Sequence, residues 1–408
     1  MLVRTRNTTW LMGALGVLVA AAVAWGVLKP APAEARSSSV AGQRHWVAQG
    51  HVGWWLTWWV ENAPEAAEGL GRWKLDTSML HDAAGERPAA AEQGSEGTST
   101  GEAEVAGGDD RGSGDGPDIE GELFVEPDNP AGTQADEWRS SRPDDAALMD
   151  RLGEQPVGKW IGEWSGDVRE AVDTHVTAAH AHDSLPVLVA YNIPVRDCAQ
   201  HSDGGAPSGE AYEEWIAQFS EGIDDRPSIV ILEPDALTLT DCLDEGQYDE
   251  RFGLLAEAVR TLGSNAETAV YVDAGHSGWR EAGEVADRLR DVGIEEAAGF
   301  ALNTSNFQAT DESIEYGRTV SEDIDGETSF VIDTGRNGAG AADGDDGWCN
   351  PSDRALGETP TTDTGEDLVD AYLWAKVPGE SDGECHGGPP AGEWWGEYAL
   401  GLAQRAGW

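Results

Sequence analysis

The stretch IVILEPDALTL, residues 229–239, decides how the chain is read. Its four aliphatic residues, Ile229 to Leu232, lack the polar alternation of a half-buried strand. They read instead as a strand buried on both faces, as in a parallel sheet. The run stops at Glu233, Pro234 and Asp235. Two acids at the end of a core strand either cap the following helix or face a shared cleft.

Similar runs recur on both sides. They are VGKWIGEW (157–164), PVLVAYN (186–192), TAVYVDAG (268–275), AGFALNTSN (298–306), SFVIDTGRN (329–337) and VDAYLWAK (369–376). Seven strand candidates separated by longer helix-like stretches imply parallel strands joined by crossovers. Their C-terminal ends carry Trp164, Tyr191 with Asn192, Asp235, Asp273, Asn303, Asp333 with Arg336, and Lys376. Polar and aromatic residues gathered at that end of every strand predict an α/β fold, a distorted β/α barrel of about seven parallel strands with its site in a cleft there. A doubly wound open sheet is the rival, but no Gly-x-Gly-x-x-Gly follows the first strand.

Acidic residues outnumber basic ones 76 to 26, for a formal charge of -50, and the lysines are Lys29, Lys74, Lys159 and Lys376 alone. Such a surface repels nucleic acid. Its self-repulsion is screened at about 1 M salt, where the screening length is roughly 3 Å, so the composition predicts a salt-adapted, halophilic protein. The acids are spread through the periodic segments, so no acidic tail accounts for the excess.

Before the first strand the chain changes character three times. Arg4 and Arg6 precede an apolar run from Trp10 to Leu28 and the small-residue patterns Ala31-Pro32-Ala33 and Ala33-Glu34-Ala35. Residues 1–35 therefore read as a signal peptide for a secreted, extracellular protein, or, since the run also suffices to span a bilayer, as an anchor giving membrane attachment through residues 10–28. Residues 36–81, with HVGWWLTWWV at 51–60, are Trp-rich and of unassigned role, and 82–121 read as an acidic Gly/Ser/Ala-rich linker. In an exported chain the four cysteines, Cys198, Cys242, Cys349 and Cys385, predict two disulfides, with three pairings open.

Further carboxylates stand at or just beyond strand ends: Asp197 in YNIPVRDC, Asp273 in YVDAGHSGW and Asp382 in KVPGESDGEC. Tyr191, Trp279 and Trp348 are close to them in sequence. Acids beside flat aromatic faces suit glycoside hydrolysis, in which one acid protonates the leaving oxygen, a second carboxylate activates water, and indoles stack on sugars. Neither His-Glu-x-x-His nor an Asp-x-Asp-x-Asp-Gly loop occurs, so neither metal nor cofactor is expected.

These motifs, with ELFVEPDNPA, WCNPSDRALG and AGEWWGEYALGLAQ, resemble glycoside hydrolase family 6, the inverting cellulases, over residues 122–408 in the family's order. The resemblance implies a catalytic domain there that cleaves the β-1,4-glucan of cellulose and its soluble derivatives. It places Asp235 on the general acid, Asp197 on the carboxylate that keeps that acid protonated, and Asp382 on the proposed base. Which of Asp197 and Asp382 serves as base stays open. Asp273 falls on a further site carboxylate and Tyr191 on the ring that crowds the sugar being cleaved. Trp160, Trp279 and Trp348 correspond to stacking platforms, and His276, Asn306, Lys376 and Glu380 to sugar-contacting positions. The implied disulfides are Cys198–Cys242 and Cys349–Cys385.

The short interval between Asp382 and Cys385 leaves no room for the insertion that roofs the cleft in chain-end-acting members. The expected activity is therefore that of an endo-1,4-β-glucanase, and the chain is separately expected to be a monomer. A cellobiohydrolase and a catalytically silent glucan-binding protein are the alternatives. Two positions depart from the family's pattern: Val195 stands where Gly is common, and Asp203 where a small or hydroxylated residue is common.

Overall fold

The computed structural model describes residues 117, 119–344 and 347–408. The expected export or anchor segment, the Trp-rich segment and nearly all of the linker thus lie outside the described residues. Each of the seven quoted runs holds one strand: β1 Lys159–Ile161, β2 Val187–Ala190, β3 Ser228–Leu232, β4 Thr268–Asp273, β5 Gly299–Leu302, β6 Ser329–Asp333 and β7 Val369–Leu373. They form one parallel sheet in chain order, β1 through β7. The order never reverses, so the sheet has no switch point of the doubly wound kind. With its surrounding helices it is a distorted β/α barrel.

Alternation along the strands sorts two apolar layers. Val187, Val189, Ile229, Ile231, Ala269, Tyr271, Ala301, Val331, Ala371 and Leu373 meet one another inside the curl. Their chain neighbours, among them Leu188, Val230, Leu232, Val270, Val272, Phe300 and Ile332, pack outward on the helices. Alanines at 269, 301 and 371 keep the inner layer thin enough for the sheet to curl.

The helices are α1 Pro130–Trp138, α2 Pro143–Gly153, α3 Val168–His180, α4 Gly209–Ile223, α5 Glu245–Gly263, α6 Ala282–Asp291, α7 Thr310–Ile324 and α8 Gly396–Arg405. Several start on a side-chain cap that satisfies an orphan N–H: Asn129 on α1, Asp167 on α3, Ser208 on α4, and a reciprocal Asp244–Gln247 box on α5. The crossover from β6 to β7, residues 334–368, departs from the expected alternation and holds no helix among the described residues. Instead α1, α2 and α8 form a separate apolar cluster with Leu356 from this crossover and Trp374 from the end of β7.

Between β7 and β1 the barrel lacks a ladder among the described residues. The seam is held by the Gly158 N–H donating to Trp374 O at 2.8 Å and the Trp160 indole N–H donating to Ala375 O at 2.7 Å. Gly158 is required there, because a Cβ would lie 2.5 Å from Ala375 O. We expect Gly158→Ala to force the seam apart and cost about 1–3 kcal/mol, read as a lowered melting temperature. A variant that melts with the wild type would show that the seam yields freely.

Candidate active site

The C-terminal ends of the strands surround a cleft of about 1450 Å³. Of the twelve candidate residues, Asp197, Asp235, Asp382, Tyr191, Trp160, Trp279, Trp348, His276, Asn306, Lys376 and Glu380 line it. Asp273 does not. As the last residue of β4 it is 1% exposed and sits behind Asp235, whose backbone N–H it accepts at 2.9 Å on Oδ1. Asp273 therefore positions the acid's backbone and is not part of the cleft wall.

The two acids that end β3 have opposite fates. In a continued strand, positions 233 and 235 would face the same side. Here both take positive φ, +48° at Glu233 and +71° at Asp235, with Pro234 between, and the alternation is broken. Glu233 is fully buried and accepts the backbone N–H groups of Asn192 at 2.9 Å and Ile193 at 3.0 Å, fastening the loop after β2. Burial pushes its carboxyl up to about 7, against the backbone donors that lower it. Asp235 reaches the cleft. Its carboxyl lies well above the usual range, first through burial and then through the negative charges of Asp273 and Asp197.

Asp197 opens a short turn after β2, with Val195, Asp197 and Cys198 all at positive φ. At Val195 this is costly, since left-handed backbone disfavours L residues by about 1–2 kcal/mol and a β-branched residue most. That conformation explains why glycine suits the position. Buried Arg196 organises the turn: its guanidinium donates to Glu163 at 2.6 and 3.0 Å, to Tyr191 O at 2.8 Å and to Ser202 O at 2.9 Å. Asp197 Oδ2 accepts the Ser202 N–H at 2.6 Å, and its carboxyl is raised chiefly by burial. The Cys198–Cys242 disulfide ties this turn to the segment that follows Asp235.

Asp382 lies opposite in the chain's order, on the segment after β7. The buried Arg336 guanidinium donates to it at 2.8 and 2.9 Å, and the Asn350 N–H at 2.9 Å. Asn350 also donates to Gly383 O at 2.8 Å, beside the Cys349–Cys385 disulfide. Both disulfides thus follow the pairing that the resemblance implied. Asp333, at the end of β6, accepts the N–H groups of Ser305, Gly335 and Lys376 at 2.9–3.0 Å and fixes three loops at once.

Around these acids stand flat rings. Trp160 and Tyr191 meet edge to face at 5.0 Å, and the Lys376 ammonium lies 5.7 Å from the Trp160 ring. Trp348 is 37% exposed and Trp279 lies 5.7 Å from the His276 ring. Burial lowers His276 to about 4, so the ring is neutral near neutral pH. Its Nδ1 accepts from the Gln308 amide at 3.2 Å, which leaves Nε2–H as a donor. Glu380 is raised by burial, with Lys376 opposing.

A family model described as "Glycosyl hydrolases family 6" matches residues 119–406. The chain belongs to family 6 of the glycosyl hydrolases. Endoglucanase A of Cellulomonas fimi is 44% identical over 274 residues, 66% of this chain and 59% of that protein. Endoglucanase 1 of Streptomyces halstedii is 41% identical over 288 residues, 68% of this chain and 87% of that protein. A cellobiohydrolase of Podospora anserina is 32% identical over 301 residues, 60% of this chain and 71% of that protein. Among solved structures, the endoglucanase Cel6 from Mycobacterium tuberculosis, bound to a methyl-cellobiosyl thio-cellobioside, is 43% identical with a TM-score of 0.68. That match covers 71% of this chain and 99% of the other.

Sequence reasoning missed three supports of this family 6 site. Glu233 receives no role from the sequence, Arg196 is likewise unassigned, and Trp164, named only as a strand-end residue, lines the cleft. The Arg-Asp pair at 196–197 was the available signal for the second. For Glu233 the sign of the pH effect is fixed: an acid raised from 4.5 to about 7 stays protonated in the fold after the unfolded chain has ionised. Its contribution to stability therefore falls as pH rises from 4.5 to about 7, by about 3 kcal/mol in all. Denaturant midpoints of Glu233→Gln against wild type should diverge across that window in favour of the variant. Parallel curves would show that Glu233 is ionised in the fold.

Proposed function

We propose that this chain is an inverting endo-1,4-β-glucanase, with residues 122–408 as its catalytic domain. The observation that carries the reading is Asp235, an acid on the cleft wall whose carboxyl is raised well above the usual range by burial and by the charges of Asp273 and Asp197. Asp235 donates its proton to the glycosidic oxygen as the C1–O bond breaks. Asp382, fixed by Arg336 and Asn350, takes a proton from a water that attacks C1 from the opposite face, so the new hemiacetal is the α-anomer. Asp197 holds Asp235 in its acid form by charge, and Asp273 holds its backbone.

Trp160, Trp279 and Trp348 supply stacking surfaces, Tyr191 crowds the sugar being cleaved, and His276, Asn306, Lys376 and Glu380 supply polar contacts. Internal cleavage is favoured by two observations. Relatives at 41–44% identity are named endoglucanases, whereas relatives named cellobiohydrolases stand at 30–32%. The segment from Asp382 to Cys385 is also too short to roof the cleft, being pinned by Asn350 and the disulfide.

On carboxymethylcellulose the wild type should lower viscosity steeply before many reducing ends appear, and NMR should find the α-anomer first. Asp235→Ala should lose at least a hundredfold in turnover, the scale of general acid catalysis, while still binding glucan. A first-formed β-anomer, or substantial turnover by Asp235→Ala, would sink the mechanism.

The protein is further proposed to be secreted and adapted to salt, on the strength of the apolar run at 10–28, the two disulfides and the charge of -50. Going from about 0.1 to about 1 M NaCl shortens the screening length from about 10 to about 3 Å. The melting temperature should rise over that range, and a flat or falling curve would refute the adaptation.

A further inference from the structure

The turn after β1 carries an aromatic face that the roles assigned above leave unused. Trp164 lies in the short 3-10 turn Glu163–Ser165, lines the cleft and is 55% exposed. A single exposed apolar side chain ordinarily signifies nothing. This one differs in being held in place while left bare. Its six-membered ring lies over Gly162, where a Cβ would stand 2.5 Å from Cζ3 and 2.6 Å from Cη2. The Arg196 guanidinium carbon is 5.1 Å from the ring centroid, and Tyr191 meets the ring at 6.5 Å and 63°. Arg196 is 4% exposed and is itself gripped by Glu163 of the same turn. Backbone, cation and neighbouring ring therefore fix the indole without covering it.

An ordered indole in a cleft with a polar surround is suited to the apolar C–H face of a pyranose. Tyr191 touches both Trp160 and Trp164, so the two indoles flank the ring beside which cleavage is proposed. We propose that Trp164 is a stacking platform for one further glucose unit of a β-1,4-glucan, forming an additional subsite on the wall built by the β1 turn. This rests on the glucanase reading, and its ordering cost is already met by Gly162 and Arg196, so the stacking contact counts nearly in full toward affinity.

The test uses the full chain and a series of cello-oligosaccharides. Trp164→Ala should lower kcat/KM on cellohexaose by about tenfold, the scale of one aromatic stacking contact, and on cellotriose by much less. Trp164→Phe, which keeps a flat face, should recover most of the loss. Calorimetric titration of cellohexaose into the Asp235→Ala protein, with and without Trp164→Ala, should show a similar weakening of binding. An equal loss on short and long substrates, an unaltered dependence on chain length, or no recovery with Phe would overturn the subsite. If the wild type hydrolyses nothing yet binding of cellohexaose still depends on Trp164, the hydrolase reading falls and the subsite stands.

Discussion

The structure depends on carboxylates buried at the C-terminal ends of parallel strands, where each accepts backbone N–H groups from neighbouring strand-end loops. Glu233 holds the loop after β2, Asp273 the loop after β3 at Asp235, and Asp333 the loops after β5, β6 and β7. Strand-end loops that turn inward leave N–H groups without a ladder partner, and such groups must be paired when buried. A carboxylate can accept several at once. The cost is desolvation, and it appears as upward shifts at Glu233, Asp273 and Asp333 alike. The same cost, applied to an acid that faces the cleft, favours a proton donor. Scaffold and acid thus arise from one term in the energetics.

Much of this was legible in the sequence because the signals are local. The aliphatic runs located all seven strands, and the polar residues after them located the cleft. The residues that line the cleft were legible where a motif fixes both type and spacing, as at Asp197 and Asp235. What stayed hidden was direction. Glu233 and Asp235 have the same chemistry and near-identical neighbours, and only the positive φ at both positions sends one into the core and the other into the cleft. No composition or periodicity encodes that. The depth of Asp273 was hidden for a related reason, since a strand-end acid looks the same whether it faces the cleft or a neighbouring amide. Trp164 was named only as a strand-end residue because the placement of its ring rests on the space above Gly162, a contact between residues whose pattern alone suggests an ordinary strand end.

The choice of cation follows the same logic. The chain has few lysines, yet arginines stand at the junctions: Arg196 joins Glu163 to two loops, Arg336 joins Asp382 to Ser305 O, and Arg251 donates to Ala236, Pro194 and Val195 carbonyls. A guanidinium keeps its proton when buried and offers several donors in a fixed fork, so one residue can tie together loops that contribute only carbonyls. An ammonium in the same place would be pushed toward neutrality and would reach fewer acceptors at once.

Salt acts unequally on these two populations of charge. Exposed acids repel one another through solvent, and added electrolyte shortens that repulsion to a few ångströms. The charge of buried Asp273 acts on Asp235 from behind, through protein, where screening is weak, whereas Asp197 shares the open cleft with Asp235. A rise in salt therefore relaxes the surface while leaving burial and the charge of Asp273, which raise the Asp235 carboxyl, largely unscreened. An enzyme with a formal charge of -50 can on this account carry its solubility on the outside and its acid chemistry on the inside, with neither setting the other.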